Sequence, residues 1–132
     1  MAQDGLIIVE SKFGPKETMS RLEAAIKAKG LTVFAHVDHA GGAEQAGLTL
    51  RPTDLLIFGN AKGGTPLMQQ GQTAGIDLPL KMLVWQDEDG KTWLSYNDPA
   101  WIARRHGLGE NAQPTVDLLT ALLKDVAAKA TG

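Results

Sequence analysis

The chain reads as one α+β domain over residues 1–132, with a mixed β-sheet of about five strands and packed helices. Three observations predict this class. Short apolar, β-branched runs alternate with stretches of helical periodicity. A turn signal, Glu88-Asp89-Gly90, joins two strand-like stretches directly and predicts an antiparallel hairpin. A helical stretch between the first two strands predicts a parallel, right-handed crossover, which makes the sheet mixed. No linker, internal repeat or low-complexity tract divides the chain, and 132 residues suffice for one core.

Leu6-Ile7-Ile8-Val9 is the first strand. Gly14-Pro15 stops it and starts a helix over 15–29, because proline's missing N–H is unpaired in a first helical turn anyway. Met19, Leu22 and Ile26 recur on one face of that helix, and Gly30 closes it. Residues 31–38 alternate as a second strand, followed by a turn and short helix rich in small residues over 39–47. Residues 54–58, with the run Leu55-Leu56-Ile57-Phe58, read as a central strand buried on both faces. A glycine turn follows, and a short, poor helix is predicted over about 65–73, broken by Gly71. In the next strand Leu80, Met82 and Val84 alternate against Lys81, Leu83 and Trp85, and the return strand covers 91–96.

Asn97-Asp98-Pro99 caps a short helix that runs to His106. Pro114 opens the last helix, with Val116, Leu119, Leu122 or Leu123, and Val126 as its apolar stripe. The closing residues 130–132 are expected to fray.

Composition removes several functions. The net charge is -2, with 13 Lys+Arg against 15 Asp+Glu, which argues against a nucleic-acid surface, since phosphate binding needs a positive field. No apolar run approaches the roughly 20 residues that span a bilayer, so no membrane partner is expected. The absence of cysteine excludes disulfides and thiolate chemistry. The start shows no signal peptide, so the chain as given reads as cytoplasmic. A periplasmic origin stays open, because a leader trimmed at an Ala-Gln junction would leave the start Met1-Ala2-Gln3-Asp4.

The segments HVDH (36–39), LRPTDLLIFGN (50–60), GTPLM (64–68), DLPLK (77–81) and YNDP (96–99), in that order, resemble the bacterial domain of unknown function number 302. The resemblance covers nearly the whole chain. It implies a compact α+β fold, a small stand-alone protein and pairing as a homodimer, and it implies no particular reaction. The chain departs from the pattern at Ala61, where proline is common, and at Trp101, where tyrosine is frequent. The first change is expected to loosen the glycine turn.

The candidate site lies where the central strand ends. Gly59, Asn60, Gly64 and Thr65 form a turn between strand and helix, where free N–H groups suit a small polar or anionic ligand. The turn matches neither phosphate-loop fingerprint, so a tight packing turn is its plainer role. Asp38 and His39 end the second strand. If that strand lies parallel to its neighbours, they sit beside Gly59-Asn60, and His39 is a candidate acid/base with Asp38 orienting it. The plainer role is a strand-end cap. No metal is expected, because His36 and His39 point to opposite faces of a strand and no third ligand is evident. No cofactor motif is present. Arg51 and Asp77 read as salt-bridge and turn residues. Trp85, Trp93 and Tyr96 share one hairpin and suggest core or a subunit interface. Three functions remain: a homodimeric small-molecule or anion-binding domain, a small cofactor-free hydrolase or isomerase with a His/Asp pair, and an interaction module without a ligand site.

Overall fold

The computed structural model describes residues 4–132, so the Met1–Gln3 start, on which the leader reading rests, lies outside the described residues. Five strands, β1 (Leu6–Ser11), β2 (Thr32–Asp38), β3 (Thr53–Gly59), β4 (Leu80–Gln86) and β5 (Thr92–Asn97), form one sheet in the order β1-β5-β4-β3-β2. The helices are α1 (Pro15–Ala28), α2 (His39–Gln45), α3 (Ala61–Gln70), α4 (Pro99–Arg105) and α5 (Gln113–Thr131), with short 3-10 turns at Gln72–Asp77 and Glu110–Ala112.

The α+β class and five strands are as read from the sequence, but the sheet is not mixed. All four pairings are antiparallel. β1 and β2 do run in the same direction, as a helical crossover requires. They occupy opposite edges, because β3, β4 and β5 pair between them. A crossover sets relative direction; it does not set adjacency.

One face of the sheet carries the core. Leu56 and Phe58 of β3, Met82 and Val84 of β4, and Leu94 and Tyr96 of β5 are buried there against α1 and α5. α1 buries Met19, Leu22 and Ile26, and α5 buries Val116, Leu119, Leu123 and Val126, the stripes expected from their spacing. Each such side chain contributes about 1.5–3 kcal/mol by leaving water. On the other face, Ile8, Leu55, Ile57, Leu83, Trp85 and Trp93 are only half buried, although β3, β4 and β5 are interior strands. The central strand is therefore not buried on both faces. Trp85 and Trp93 stack at 6.1 Å, and their ring N–H groups donate to Ser95 Oγ and to Asp87 Oδ2, both at 2.8 Å.

Two local expectations are corrected. α3 starts at Ala61, four residues earlier than read, because the Asn60 side chain accepts from the Gly63 N–H at 2.9 Å and caps it. Lys62-Gly63-Gly64 is thus the first turn of a helix rather than a loop. The C-terminus does not fray. α5 runs to Thr131, Ala130 and Thr131 are buried, and the Lys12 N–H donates to the Thr131 carbonyl at 2.9 Å.

Candidate functional site

The register separates the residues that the sequence suggested as one cluster. Thr32 pairs with Gly59 at one end of β2–β3, and Asp38 pairs with Asp54 at the other. These are the first and last of six pairs, five residue steps apart along β3, roughly 17 Å. The parallel arrangement that would have joined Asp38-His39 to Gly59-Asn60 is absent, and each end opens onto its own groove.

The first groove, about 520 Å³, begins at Gly59, Asn60, Gly64 and Thr65. Its walls are Leu31 and Phe34 on the β2 side, Met68 from α3, Leu78, Pro79 and Leu80, and Leu118, Leu119 and Leu122 from α5. Gly59 has φ +148, a left-handed value that side chains rarely adopt, and this backbone turns β3 into α3. Gly63 lets α3 approach α5: a Cβ there would sit 3.3 Å from Leu119 Cδ2. Two lysines border the groove and no carboxylate does, among the described residues. Lys29 is paired with Asp125 at 2.8 Å, while Lys62 is exposed and has no ion pair among the described residues.

The second groove, about 1020 Å³, lies between α1 and the β2–α2 segment. Glu17, Glu23, Asp38, Glu44 and Asp54 line it, with His36. His36 Nε2 meets Asp54 Oδ2 at 2.7 Å, and its Nδ1 is 3.5 Å from Glu23 Oε1. Asp38 caps α2, accepting from the Gly41 N–H at 2.9 Å. His39 is the first residue of α2, is exposed, and its side chain has no hydrogen-bond partner among the described residues. The pair Asp38-His39 therefore does not form a dyad; Asp38 serves as the cap that was its plainer reading.

The two histidines that do meet carboxylates were not singled out as site residues. His36 meets Asp54 because β2 and β3 are antiparallel, which the parallel expectation concealed. The His106 side chain, 7% exposed, is held between two partners. Its Nε2 lies 2.5 Å from Asp77 Oδ2, and its Nδ1 lies 2.8 Å from Thr73 Oγ1. Arg105 binds both Asp77 oxygens, at 2.8 and 2.9 Å. Nothing local in the sequence links His106 to residues about thirty positions earlier. Lys81 donates to the carbonyls of Asp77 and Pro79, and burial lowers its pKa. No group of three or more His, Asp or Glu side chains able to hold a metal ion occurs among the described residues.

The model of the family described as "Domain of unknown function DUF302" matches residues 7–126. The chain belongs to this family. A crystal structure of an uncharacterized conserved DUF302 protein from Bacillus stearothermophilus superposes with a TM-score of 0.85, covering 97% of this chain and 99% of that one at 19% identity. At that identity the likeness shows the DUF302 fold alone. Among curated relatives, the "Fluoride-specific ion channel FluC 1" of Brucella suis biovar 1 is 53% identical over 105 residues, 80% of this chain and 41% of that protein. The "Fluoride-specific ion channel FluC 2" of Brucella melitensis biotype 1 matches at the same identity over 39% of its length. This DUF302 chain thus spans about two fifths of the channel-named relatives it matches. No helix among the described residues is long and apolar enough to cross a membrane.

Proposed function

We propose that the chain is a small-molecule-binding domain working as a homodimer, with its ligand in the groove at Gly59, Asn60, Gly64 and Thr65. The observation that carries this reading is the groove's make-up: a concave, mainly apolar trough in which a few polar groups converge, the usual form of a ligand site. The lack of any lining carboxylate among the described residues favours a neutral or anionic ligand. The test is a thermal-shift screen of small organic acids and inorganic anions against the intact chain and Thr65→Ala. A ligand that stabilises the first and not the second supports the site; a screen without a hit refutes it.

The open sheet face supports the homodimer. Five strands spaced about 4.8 Å and six residues long give roughly 24 by 20 Å, so two such faces bury on the order of 1,000 Å². Ile8, Leu83, Trp85 and Trp93 would then leave water. Sedimentation equilibrium should find a dimer that Leu83→Glu dissociates. A monomeric wild-type chain would remove this part of the proposal.

A second reading, a cofactor-free enzyme with a His/Asp pair, is favoured by one observation. Thr73, His106 and Asp77 line up as hydroxyl, imidazole and carboxylate, the order of an activated nucleophile. It predicts turnover of an activated ester such as p-nitrophenyl acetate that is lost in both Thr73→Ala and His106→Gln.

The channel-named relatives suggest a setting. We infer that in such proteins the DUF302 portion accompanies an anion-transporting portion carried by the rest of their length. An apolar trough is a poor host for fluoride, a small ion that must keep many donors when it leaves water. The link would therefore run through the polypeptide, not the groove. Removing the DUF302 portion from the Brucella relative should change fluoride tolerance of the cells; unchanged tolerance refutes the link.

A further inference from the structure

The two grooves carry opposite charge, and the contrast narrows the ligand of the first. Five carboxylates line the groove near His36, whereas none lines the groove at Gly59 among the described residues. At the Gly59 groove Lys29 is held by Asp125, a carboxylate it shares with Lys129, which leaves Lys62 beside Thr65 as the lining cation without an ion pair among the described residues. Beyond that polar rim the walls are hydrocarbon. Phe34 and Leu118 are 55% and 67% exposed, high values for large apolar side chains, and Met68, Leu78 and Leu122 stand with them along the trough.

One cation at the rim of a hydrocarbon trough is complementary to a molecule with one anionic end and an apolar chain. We propose that this groove binds a medium-chain aliphatic carboxylate. Its carboxylate meets the Lys62 ammonium and the Thr65 hydroxyl, and its chain runs along Phe34, Met68 and Leu118. The proposal rests on the ligand-binding reading above and names the class of ligand for that same groove.

The other ligand classes fit less well for physical reasons. A compact inorganic anion would leave most of its charge against hydrocarbon, without donors. A cationic amphiphile would place its charge beside Lys62 with no carboxylate to receive it. A neutral hydrocarbon would cover the trough but leave the Lys62 and Thr65 groups unused. Burial of one methylene is worth a factor of about four in binding, so affinity should climb steeply with chain length until the trough is filled.

The test is isothermal titration of the intact chain with hexanoate, octanoate, decanoate, decanol, decylammonium and inorganic phosphate, repeated on Lys62→Gln and Phe34→Ser. Both positions are exposed, and circular dichroism verifies that the variants fold. Decanoate is expected to bind about fifteenfold more tightly than octanoate. Lys62→Gln should weaken decanoate at least fivefold, by about 1 kcal/mol, and leave decanol unmoved. Phe34→Ser should weaken both ten-carbon ligands. If phosphate binds as tightly as decanoate and loses affinity in Lys62→Gln, the anion-binding reading stands and the aliphatic carboxylate is refuted. If decylammonium or decanol equals decanoate, the charge argument is refuted. If none of the six binds, both the site and its ligand class fall. Should Phe34→Ser instead only dissociate a dimer, the trough is covered by a second copy of the chain, and the proposal is overturned.

Discussion

Two adjacent glycines in the first turn of α3 should respond unequally to the same substitution. Both lie in helical backbone, where exchanging glycine for alanine is worth about 1 kcal/mol in favour of the folded state. At Gly64 an added Cβ meets Leu78 Cδ1 at 3.7 Å and Met68 Cε at 3.8 Å, ordinary contact distances. Gly64→Ala should therefore realise the gain and raise the melting temperature by about 3–5 °C. At Gly63 the added Cβ meets Leu119 Cδ2 at 3.3 Å and Asn60 Oδ1 at 3.5 Å. Leu119 is 3% exposed and wedged in the core, so it cannot move aside freely. Overpacking of that kind costs about 1–3 kcal/mol and offsets or reverses the helical gain. Gly63→Ala should thus fall at least about 1 kcal/mol below Gly64→Ala. Urea unfolding followed by circular dichroism measures both, with an unchanged slope verifying that only stability has moved. Equal stabilisation by the two substitutions would refute the packing of α3 against α5. Destabilisation by Gly64→Ala would refute the helical assignment of this turn.

Asp77→Ala should cost about 2 kcal/mol, because it leaves the buried His106 imidazole and the Arg105 guanidinium without their acceptor; chemical denaturation measures it, and a loss within experimental scatter of zero would sink the idea. Gly5→Ala should destabilise by more than about 2 kcal/mol, since Gly5 sits at φ +79 and a Cβ there would overlap the Trp101 ring; thermal unfolding monitored by tryptophan fluorescence reads it. The Asp87 carboxylate accepts from Trp93 Nε1 and from the backbone N–H groups of Lys91 and Asp89, and its pKa is lowered for those reasons, the Trp93 bond first. A lowered folded pKa means stability present above the unfolded value of about 3.9 and lost as pH falls through the folded one. Asp87→Asn should therefore cost stability at pH 6, and the difference from wild type should shrink below about pH 4. A difference independent of pH would show that the charge plays no part. Asp125, lowered by Lys29 and Lys129, titrates in the same direction, so the acid limb of the wild type combines both groups.

The helices and strands were legible where local chemistry decides them. Pro15 and Gly30 bracket α1, and the 3.6-residue spacing of Met19, Leu22 and Ile26 turns one face inward. The alternation of Leu80, Met82 and Val84 marked the core face of β4 in the same way. Strand order was not legible, because it depends on which distant edges pair, and a helix between β1 and β2 is compatible with neighbours or with opposite edges. That error propagated to the site. It drew Asp38-His39 toward Gly59-Asn60 and hid the contact between His36 and Asp54, which only the antiparallel register creates. The start of α3 was masked for another reason. Glycines at 63 and 64 argue against helix by propensity, and an Asn60 cap and the buried Leu67 outweigh them. The trough itself was invisible, since Phe34, Leu78 and Leu118 come from separate parts of the chain.

The position of β1 at the sheet edge sets the order in which this domain can assemble. β2, β3, β4 and β5 are sheet neighbours in the order in which they leave the ribosome, so each closes a modest loop onto the one before. β1 emerges first and has no adjacent strand until β5 exists. Joining Leu6 to Asn97 brings together positions roughly ninety residues apart, and the entropy of that closure must be met before its hydrogen bonds return anything. The Lys12–Thr131 bond at the end of β1 depends likewise on α5, the last helix made. The N-terminal strand thus waits on β5, and a nascent chain released short of β5 would leave β1 without its partner and open to pairing with other chains.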